Sequence, residues 1–514
     1  MQTERGKFGL ESPEEARTMC HAALLWEKVE GAQLYRIYVD GKETAVTDKT
    51  DYTLRELESG HSYDIYVEAS AGLDTVVSSH VTIKTRDKSV LLDVTDFGAV
   101  GDGRTLNTQA VQAAIDGCPP GGTVMIPAGI FLTGALFLKS DMTLYMEEGS
   151  KLLGSSRLED FPLITCRFEG REQVCYASLL NTGEEEEKDF HSITIAGKGT
   201  IDANGMLLRK LELAEGKGKP GRAICLRRTD GVYLEGITVR QSPAWCVHLV
   251  YCNHVSLNGV HIHTKYDEKG NRYEGIANGD GLDPDSCSYV KVFNCTIASQ
   301  DDCIAIKAGR NEEGRRVGIP SEHIRISNCT FLSGFGVAVG SEMSGGVRDV
   351  LVQDCTFRDT YSICSIKAPR GRGGIVENIT YDSMKHCNHS REHQDCKWFR
   401  GAIYIDQFYS HDEYDWENPQ PVDEGTSHIR NITLKNMEAE TVTGNAVFLA
   451  GLPESPLENI RLVNVKAGRR YGMKAANIRN LQMENVTIGA REGGAYEYHA
   501  VSGKKEGGEI GSNE

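Results

Sequence analysis

The sequence predicts an all-β protein in which a small β-sandwich precedes a long parallel β-helix. The chain has 514 residues, more than one ordinary compact core accommodates, so two domains or an elongated solenoid are expected. Short alternating segments crowd the start of the chain, as they do in a sandwich. Imperfect strand-turn-strand repeats recur through the second half, as they do in a solenoid of stacked coils.

The predicted sandwich is built from alternating segments separated by turn signals. The pair Asp40-Gly41 between two such segments indicates a hairpin. Trp26 and the pattern Leu-x-x-Gly-His-x-Tyr-x-Ile-x-Val at 57–67 resemble a fibronectin type III module, with Tyr63 at its tyrosine corner. We expect this module to pack against or position its neighbour, with carbohydrate binding as the alternative.

The predicted β-helix begins with an amphipathic helix from about Asn107 to Gly117, which would cap the open end of its core. Four repeats align with one another, at 232–250, 290–308, 324–341 and 350–368. Cysteines recur at one position of the repeat and should be buried, reduced thiols stacked in the core; they are Cys295, Cys329 and Cys355. The predicted divisions are an N-terminal segment at 1–17, the sandwich at 18–88, the β-helix at 89–495 and a flexible tail at 496–514.

Composition limits the possible binding partners and the cellular compartment. A net charge of −17 argues against nucleic acid or an anionic membrane as the partner, although a local basic patch could still receive an anionic sugar. The 15 cysteines do not form CxxC pairs, so no metal site is predicted. Unpaired cysteines and the lack of an apolar leader at the start favour the cytoplasm; a secreted protein trimmed of its leader is the alternative.

The segment from Asn278 to Lys307 carries the chemistry-bearing residues. It contains five aspartates, namely Asp280, Asp283, Asp285, Asp301 and Asp302. Asp280 and Asp301 are 21 residues apart, about one coil, so they should lie on neighbouring rungs of one face, roughly 4.8 Å apart. Clustered carboxylates on a rigid surface suit the hydrolysis of a glycosidic bond. For Asp283 and Asp285 a structural role, or Ca²⁺ ligation, is the expected reading.

Aligning the repeats shows what surrounds these acids. Phe335 and Tyr361 occupy the Asp301 position in the next two coils, while Lys307 and Lys367 share a position. Lys367 is followed by Arg370 and Arg372, so cations should lie near the acids. This combination suits a sugar that carries hydroxyls and, as a further option, a carboxylate.

Several motifs resemble the polygalacturonase family, glycoside hydrolase family 28. They are Asn278-Gly-Asp-Gly-Leu-Asp283, Gln300-Asp-Asp-Cys303, Gly340-Ser-Glu-Met-Ser-Gly-Gly346 and Ile366-Lys-Ala-Pro-Arg-Gly-Arg-Gly-Gly374. The third, like the N-terminal module, resembles the bacterial exo-acting branch. The resemblance implies a right-handed, pectin-lyase-like parallel β-helix, inversion of anomeric configuration and no cofactor.

The same resemblance implies roles for individual residues. Asp301 would be the general acid, and Asp280 and Asp302 would together activate the attacking water. An inverting site is expected to hold its carboxyls about 6.5–9.5 Å apart, to admit that water. The predicted substrate-binding residues are Asn278, Glu342, Lys367 and Tyr409.

Two positions depart from the family pattern. Phe335 replaces a histidine, so desolvation rather than a hydrogen bond would keep the acid protonated. Ser365 replaces an arginine that grips a uronate carboxylate. The sequence therefore predicts an exo-acting glycoside hydrolase for galacturonate or a related sugar of pectin-derived oligosaccharides. A neutral or branched linkage, as in rhamnogalacturonan, xylogalacturonan or apiose-bearing glycans, is the alternative.

Two rival classes stay open on the sequence. A polysaccharide lyase shares the β-helix fold but would need Ca²⁺ and a basic residue to abstract a proton. A glycan-binding solenoid without activity would explain the missing histidine and arginine.

Overall fold

The structure, a computed structural model, describes residues 7–182, 189–387, 400–409, 414–505 and 508–510. Within them a β-sandwich is followed by a long parallel β-helix, as the sequence predicts. None of the described helices has the length and apolar character needed to cross a membrane. The predicted all-β class is confirmed.

Nine strands build the sandwich, and all but one of their pairings are antiparallel. They are β1 Lys7–Phe8, β2 Leu10–Glu11, β3 Ala22–Trp26, β4 Ala32–Val39, β5 Lys42–Thr47, β6 Asp51–Leu54, β7 Ser62–Ala71, β8 Asp74–Ser78 and β9 Val81–Lys84. One sheet has the order β1-β8-β7-β4-β5, with β9 paired to β7, and the other has the order β2-β3-β6. Trp26 and Tyr35 pack between them, and the Tyr63 hydroxyl accepts a hydrogen bond from the Glu58 N–H at 2.8 Å.

Residues 7–11 of the N-terminal segment predicted at 1–17 belong to the sandwich, while residues 1–6 lie outside the described residues. Strand β1 pairs with β8 and β2 pairs with β3, so residues 7–11 complete both sheets. Phe8 and Leu10 enter the sandwich core. The apolar residues at alternate positions explain the correction, because a strand needs only a few of them to be buried at a sheet edge.

The β-helix strands pair in parallel from coil to coil. They are β10 Leu91–Asp93, β11 Asp102–Leu106, β12 Gly122–Ile126, β13 Gly129–Thr133, β14 Leu136–Leu138, β15 Met142–Met146, β16 Ser150–Gly154, β17 Leu163–Phe168, β18 Arg171–Tyr176, β19 Leu180–Thr182, β20 Phe190–Gly197, β21 Thr200–Asp202, β22 Ile224–Arg227, β23 Thr229–Glu235, β24 Thr238–Arg240, β25 Val247–Val250, β26 Asn253–Asn258, β27 His261–His263, β28 Leu282–Asp285, β29 Ser288–Phe293, β30 Thr296–Ala298, β31 Ile304–Ile306, β32 Ser321–Ser327, β33 Thr330–Ser333, β34 Val337–Gly340, β35 Val347–Gln353, β36 Thr356–Arg358, β37 Cys364–Lys367, β38 Ile375–Cys387, β39 Gly401–Asp406, β40 His428–Ala450, β41 Leu457–Ala490, β42 Tyr496–Lys505 and β43 Gly508–Ile510. The exceptions are β17 and β18, which form an antiparallel hairpin, and β43, which runs antiparallel to β42. Parallel crossovers of this kind are right-handed.

Three α-helices and two 3₁₀ turns interrupt the strands. The α-helices are α1 Thr108–Gly117, α2 Gly205–Glu215 and α3 Asn311–Val317, and the turns are Val94–Phe97 and Leu158–Asp160. Helix α1 buries Val111, Ala114 and Ile115 against the first coils. The predicted capping helix is therefore confirmed.

One apolar core runs the length of the β-helix. Alternate residues of each strand point inward, and stacking places like residues above one another, as in Val232, Val255, Val290, Ile324 and Val350. Cys295, Cys329 and Cys355 are each 1% exposed, as predicted, and no disulfide joins any cysteine among the described residues.

The structure contains one coil that the repeat alignment does not show, and part of the predicted tail is a strand. Strands β26–β28 form a coil between the aligned repeats at 232–250 and 290–308, hidden from sequence comparison because a long loop splits it. The flexible tail predicted at 496–514 is wrong for its first ten residues, since β42 pairs with β41. Tyr496 and Tyr498 pack there against the core, which covers the open end of the stack.

The sandwich rests on the β-helix through polar and apolar contacts. Glu235 binds His21 at 2.5 Å and Arg55 at 3.0 Å, and Asp51 accepts a hydrogen bond from Asn294 at 2.5 Å. Leu25 lies in a shared apolar cluster with Tyr233 and Phe293. These contacts fix the module against the outer face of the coils.

Candidate active site

The floor of the candidate site is one face of the β-helix, here called the cleft sheet and formed by strands β22, β25, β28, β31, β34, β37 and β39. Each strand alternates core-facing and outward residues. The strand register places the outward residues in two columns. The first column contains His248, Asp283, Ala305, Ala338, Ser365 and Tyr404. The second contains Val250, Asp285, Lys307, Gly340, Lys367 and Asp406. The polar residues of both columns therefore share one surface.

The predicted catalytic aspartates meet at one edge of this sheet. Asp280 precedes β28, and Asp301 and Asp302 precede β31. The Gly281 N–H donates to the Asp302 carbonyl at 3.0 Å, so Asp280 stacks with Asp302 on successive coils. Carboxylate oxygens of all three lie within 4.8 Å of one another.

Local hydrogen bonds hold this turn in place. The Gly279 N–H donates to the Gln300 side chain at 3.0 Å, and the Asp301 N–H donates to the Gly279 carbonyl at 3.3 Å. A side chain at Gly281 would meet the Cys303 carbonyl at 2.5 Å, and one at Gly334 would meet the Asp301 carbonyl at 2.2 Å. Glycine is required at both positions because backbone from the neighbouring coil comes so close.

Burial and mutual repulsion set the protonation of the acids. Asp280 and Asp302 are 3% and 2% exposed, while Asp301 is partly exposed. Burial, followed by repulsion from Asp283 and Asp301, raises the pKa of Asp280. Burial, followed by repulsion from Asp302, raises the pKa of Asp301 to about 6. The group therefore retains a proton close to neutral pH, as a general acid requires.

Lys307 is the buried cation of this acid group, and the sequence analysis did not choose it as a site residue. Its ammonium lies 3.7 Å from Asp280, 3.5 Å from Asp283 and 3.3 Å from Glu342. Burial alone would lower the pKa of Lys307, but Glu342, Asp283 and Asp280 raise it well above its usual value. Its shared repeat position with Lys367 was the available signal.

The predicted substrate-binding residues lie around the acids, and some of them are buried. Lys367 donates to Asp302 at 2.5 Å, and its ammonium lies 5.5 Å from the Tyr409 ring centre. Glu342 is 7% exposed and engages Lys307 and Arg372, so both cations, acting against burial, lower its pKa to about 2. Asn278 lies partly exposed, two residues before Asp280, with φ of +51°.

Hairpin β17–β18 packs beside the acid group, and its turn lies against residues that follow strands β31 and β34. Its two-residue turn, Glu169-Gly170, has positive φ at both positions, which matches the twist of a tight hairpin. The Gly170 carbonyl accepts the Arg310 N–H at 3.0 Å, and Arg310 binds Glu169 at 3.2 Å. A side chain at Gly170 would lie 2.9 Å from Glu342, so the tip of the hairpin reaches the acid group.

Asp285 anchors this hairpin close to its turn. Arg167 of β17 donates to Asp285 at 2.7 Å and to Ser286 at 3.0 Å, and both Arg167 and Asp285 are buried. Burial would raise the pKa of Asp285, but Arg167 and then His248 lower it to about 2. This ion pair fits the structural role predicted for Asp285.

The two departures from the family pattern occupy different environments. The Phe335 ring stacks on Tyr361 with centres 4.6 Å apart, and its N–H donates to the Asp301 carbonyl at 3.0 Å. Ser365 is fully buried beside Tyr404 on the next coil. Ser365 therefore does not present a group to the cleft surface.

The three acids approach one another closely, since an oxygen of each lies within 4.8 Å of the others. This is the closest approach of single atoms, whereas the separations of about 6.5–9.5 Å at inverting sites and about 5–5.5 Å at retaining ones are between whole carboxyl groups. Coil stacking explains the short spacing, because the strands that carry Asp280 and Asp302 are adjacent.

Comparison with known proteins agrees with this fold. The family model "Glycosyl hydrolases family 28" matches residues 160–488. A probable polygalacturonase of Vitis vinifera is 32% identical over 72% of this chain and 72% of its own length. An exo-poly-alpha-D-galacturonosidase of Dickeya chrysanthemi is 30% identical over 84% of this chain and 78% of its own.

A solved structure shares the whole fold. The family 28 exopolygalacturonase of Yersinia enterocolitica matches with a TM-score of 0.81 and 23% identity, covering 97% of this chain and 98% of its own. Fold, site and relatives together define a glycoside hydrolase that acts on an oligosaccharide or polysaccharide. The chain belongs to glycosyl hydrolases family 28.

Proposed function

We propose that this protein is an exo-acting hydrolase that releases galacturonate from the ends of pectin-derived oligosaccharides. The observation that carries the proposal is the group of Asp280, Asp301 and Asp302, whose oxygens lie within 4.8 Å of one another on the floor of a cleft. Relatives named as polygalacturonases support pectin as the source of the substrate.

Asp301 is the proposed general acid. It is the one member of the three that is partly exposed, so it can reach the oxygen of the scissile bond. Its raised pKa, about 6, leaves part of the population protonated near neutral pH. The acids share their protons as one coupled group, so with the proton on Asp301 the other two are ionised beside Lys307 and Lys367. Asp280 and Asp302 then orient the attacking water and together take its proton.

The hairpin β17–β18 supports the exo mode. Its turn lies against Arg310 and Glu342 beside the acid group, and we propose that it limits how far a polymer extends past the acids on that side. A closed end selects chain termini. The proposed products are therefore monomers from the first turnover onward.

Galacturonate oligomers, rhamnogalacturonan, xylogalacturonan and apiose-bearing glycans provide the test, with products separated by chromatography. Release of monomeric galacturonate from the first time points supports the proposal. Early release of mixed oligomers would overturn the exo mode. Activity confined to neutral or branched linkages would replace galacturonate as the substrate, and unsaturated products would indicate a lyase.

The stereochemistry needs its own measurement. We propose inversion, with a water held between Asp280 and Asp302; retention through a carboxylate nucleophile is the alternative that the experiment tests. Proton NMR of the first product distinguishes the two, because the newly released anomer is observed before mutarotation. An unchanged anomer would replace the water-activating pair with a carboxylate nucleophile.

We also propose a cytoplasmic location. Twelve cysteines are buried and none of the described ones forms a disulfide, which suits a reducing compartment. Fractionation of the native host followed by immunodetection tests this. Recovery from the extracellular fraction would overturn it.

A further inference from the structure

A second polar cluster lies where the hairpin meets strands β22 and β25, outside the acid group. It contains Cys166 of β17, Cys225 of β22 and His248 of β25, which are 1%, 3% and 0% exposed. Their sulfur and ring nitrogen atoms all lie within 4.8 Å of one another. The two sulfurs are 3.4 Å apart, and the Cys225 sulfur is 4.0 Å from His248 Nδ1.

The other nitrogen of His248 faces a carboxylate. Nε2 lies 3.7 Å from Asp285 Oδ2, and neither atom has a hydrogen-bond partner within the part of the chain that the structure describes. A histidine that binds a metal usually directs its second ring nitrogen to a carboxylate, which fixes the ring. Asp285 is itself held by Arg167 at 2.7 Å.

The charge around the cluster is unusual. Arg222 is 1% exposed, and no carboxylate of the described residues lies in ion-pair range. Its guanidinium lies 4.9 Å from the Phe168 ring centre and 5.4 Å from that of Trp245, beside the cysteines. A buried cation needs a compensating anion; Arg222 interacts electrostatically with the buried Glu212 and with the sulfurs of this cluster.

We propose that Cys166, Cys225 and His248 bind a thiophilic d¹⁰ metal ion. This inference goes beyond the proposed hydrolase activity. Two thiolates with Cu(I) carry one net negative charge, which Arg222 neutralises. Zn(II) reaches the same net charge if the buried Cys175, in the same apolar cluster, joins as a third thiolate and completes four ligands.

The three side chains come from three different strands, β17, β22 and β25, and converge on one buried point. The bound ion would tie the hairpin to two strands of the cleft sheet.

Direct metal measurement on the full chain tests the proposal. The protein is purified without chelators, and its metal content is measured by mass spectrometry. It is then titrated with Cu(I) under anaerobic conditions and, in a separate experiment, with Zn(II). A chromogenic chelator competes for the metal in each titration. One tightly bound ion per chain is expected. X-ray absorption at the metal edge should show sulfur and nitrogen neighbours, a readout that needs no variant.

Variants then locate the ion. Cys166→Ser and His248→Asn should each weaken binding by at least about 100-fold, and Asp285→Asn by about 10–100-fold. Cys175→Ser should weaken Zn(II) but not Cu(I). Cys118→Ser removes a buried thiol elsewhere and should change nothing. Circular dichroism confirms that each variant is folded.

Three outcomes overturn the site. They are no metal bound by the folded wild type, binding that Cys166→Ser leaves unchanged, and an absorption spectrum without sulfur neighbours. The readouts are independent of catalysis, so they separate this proposal from the proposed hydrolase activity.

Discussion

Asp283 and Asp285 lie two residues apart on strand β28, point to the same side and are both fully buried, yet their protonation differs sharply. Burial raises the pKa of Asp283 to about 7, although the nearby Lys307 acts to lower it. Arg167 and His248 overcome burial and lower the pKa of Asp285 to about 2. Neighbouring positions of one strand therefore belong to two different electrostatic regions.

The difference comes from how fully each region compensates its carboxylates. Around Lys307, five carboxylates share three cations; the carboxylates are Asp280, Asp283, Asp301, Asp302 and Glu342, and the cations are Lys307, Lys367 and Arg372. Neither oxygen of Asp283 has a hydrogen-bond partner among the described residues. Asp285 instead receives Arg167 and the Gly309 N–H at 3.1 Å. An undercompensated region retains protons and can transfer them, whereas a compensated one stabilises the fold.

The largest expected effect tests whether the chemistry belongs to the undercompensated region. Asp301→Asn should reduce kcat by about 10²–10⁴-fold, because the amide cannot donate a proton to the leaving oxygen. Release of galacturonate or another identified sugar is measured alongside the thermal unfolding midpoint, which should hardly change. Asp349→Asn, on strand β35 away from the cleft sheet, is the matched control and should keep full activity. Retained activity in Asp301→Asn would remove it from the mechanism.

The second effect concerns stability rather than activity. Arg167→Met should lower the free energy of unfolding by about 3–5 kcal/mol, since it leaves Asp285 charged and unpaired in a buried site. Chemical denaturation at pH 7 measures the loss. The control Arg157→Met removes an exposed arginine and should leave the unfolding curve unchanged.

The pH dependence of that loss carries a definite sign. The folded pKa of Asp285 lies below its usual value of 3.8, so its stabilisation is present above pH 3.8 and is lost as pH falls towards 2. The difference between wild type and Arg167→Met should therefore shrink in acid. A constant difference from pH 7 to pH 2 would contradict the assignment.

A smaller effect of opposite sign is expected at Asp283. Its folded pKa is above its usual value, so the associated stabilisation is full below pH 3.8 and is lost as pH rises through 7. Asp283→Asn stays neutral, so it should gain on the order of 1 kcal/mol over the wild type above pH 7. Denaturation at pH 5 and pH 8.5 measures the change. Equal unfolding free energies at both pH values would show that Asp283 is not undercompensated.

The same comparison shows what the sequence could and could not predict. The fold, the capping helix and the clustering of Asp280, Asp301 and Asp302 follow from local periodicity and repeat alignment, because stacked coils place aligned residues together. Asp283 and Asp285 appear equivalent in the sequence. Their difference depends on Arg167, which comes from a hairpin more than a hundred residues earlier in the chain.

Long-range placement also explains the other omissions. Lys307 was visible as a repeat position, but its contacts with three carboxylates require the loop that carries Glu342. Cys166, Cys225 and His248 come from separate strands, so no spacing motif joins them. The tail strand β42 was missed because its Gly- and Lys-rich surroundings resemble an unstructured end.

The smallest expected effect concerns the aromatic residue above the acids. Phe335→His places an ionisable ring where Phe335 now stacks on Tyr361, one coil beyond Asp301. A protonated imidazole would favour ionised Asp301 and lower its pKa below about 6, so the basic limb of the pH–activity profile should move to lower pH. The change in kcat at the optimum should stay below about tenfold, because the three carboxylates are retained. Profiles of wild type, Phe335→His and the neutral control Phe335→Leu separate charge from lost stacking. If the basic limb shifts equally in both variants, the effect comes from lost packing. That result would contradict the expectation that Phe335 keeps the acid protonated by desolvation.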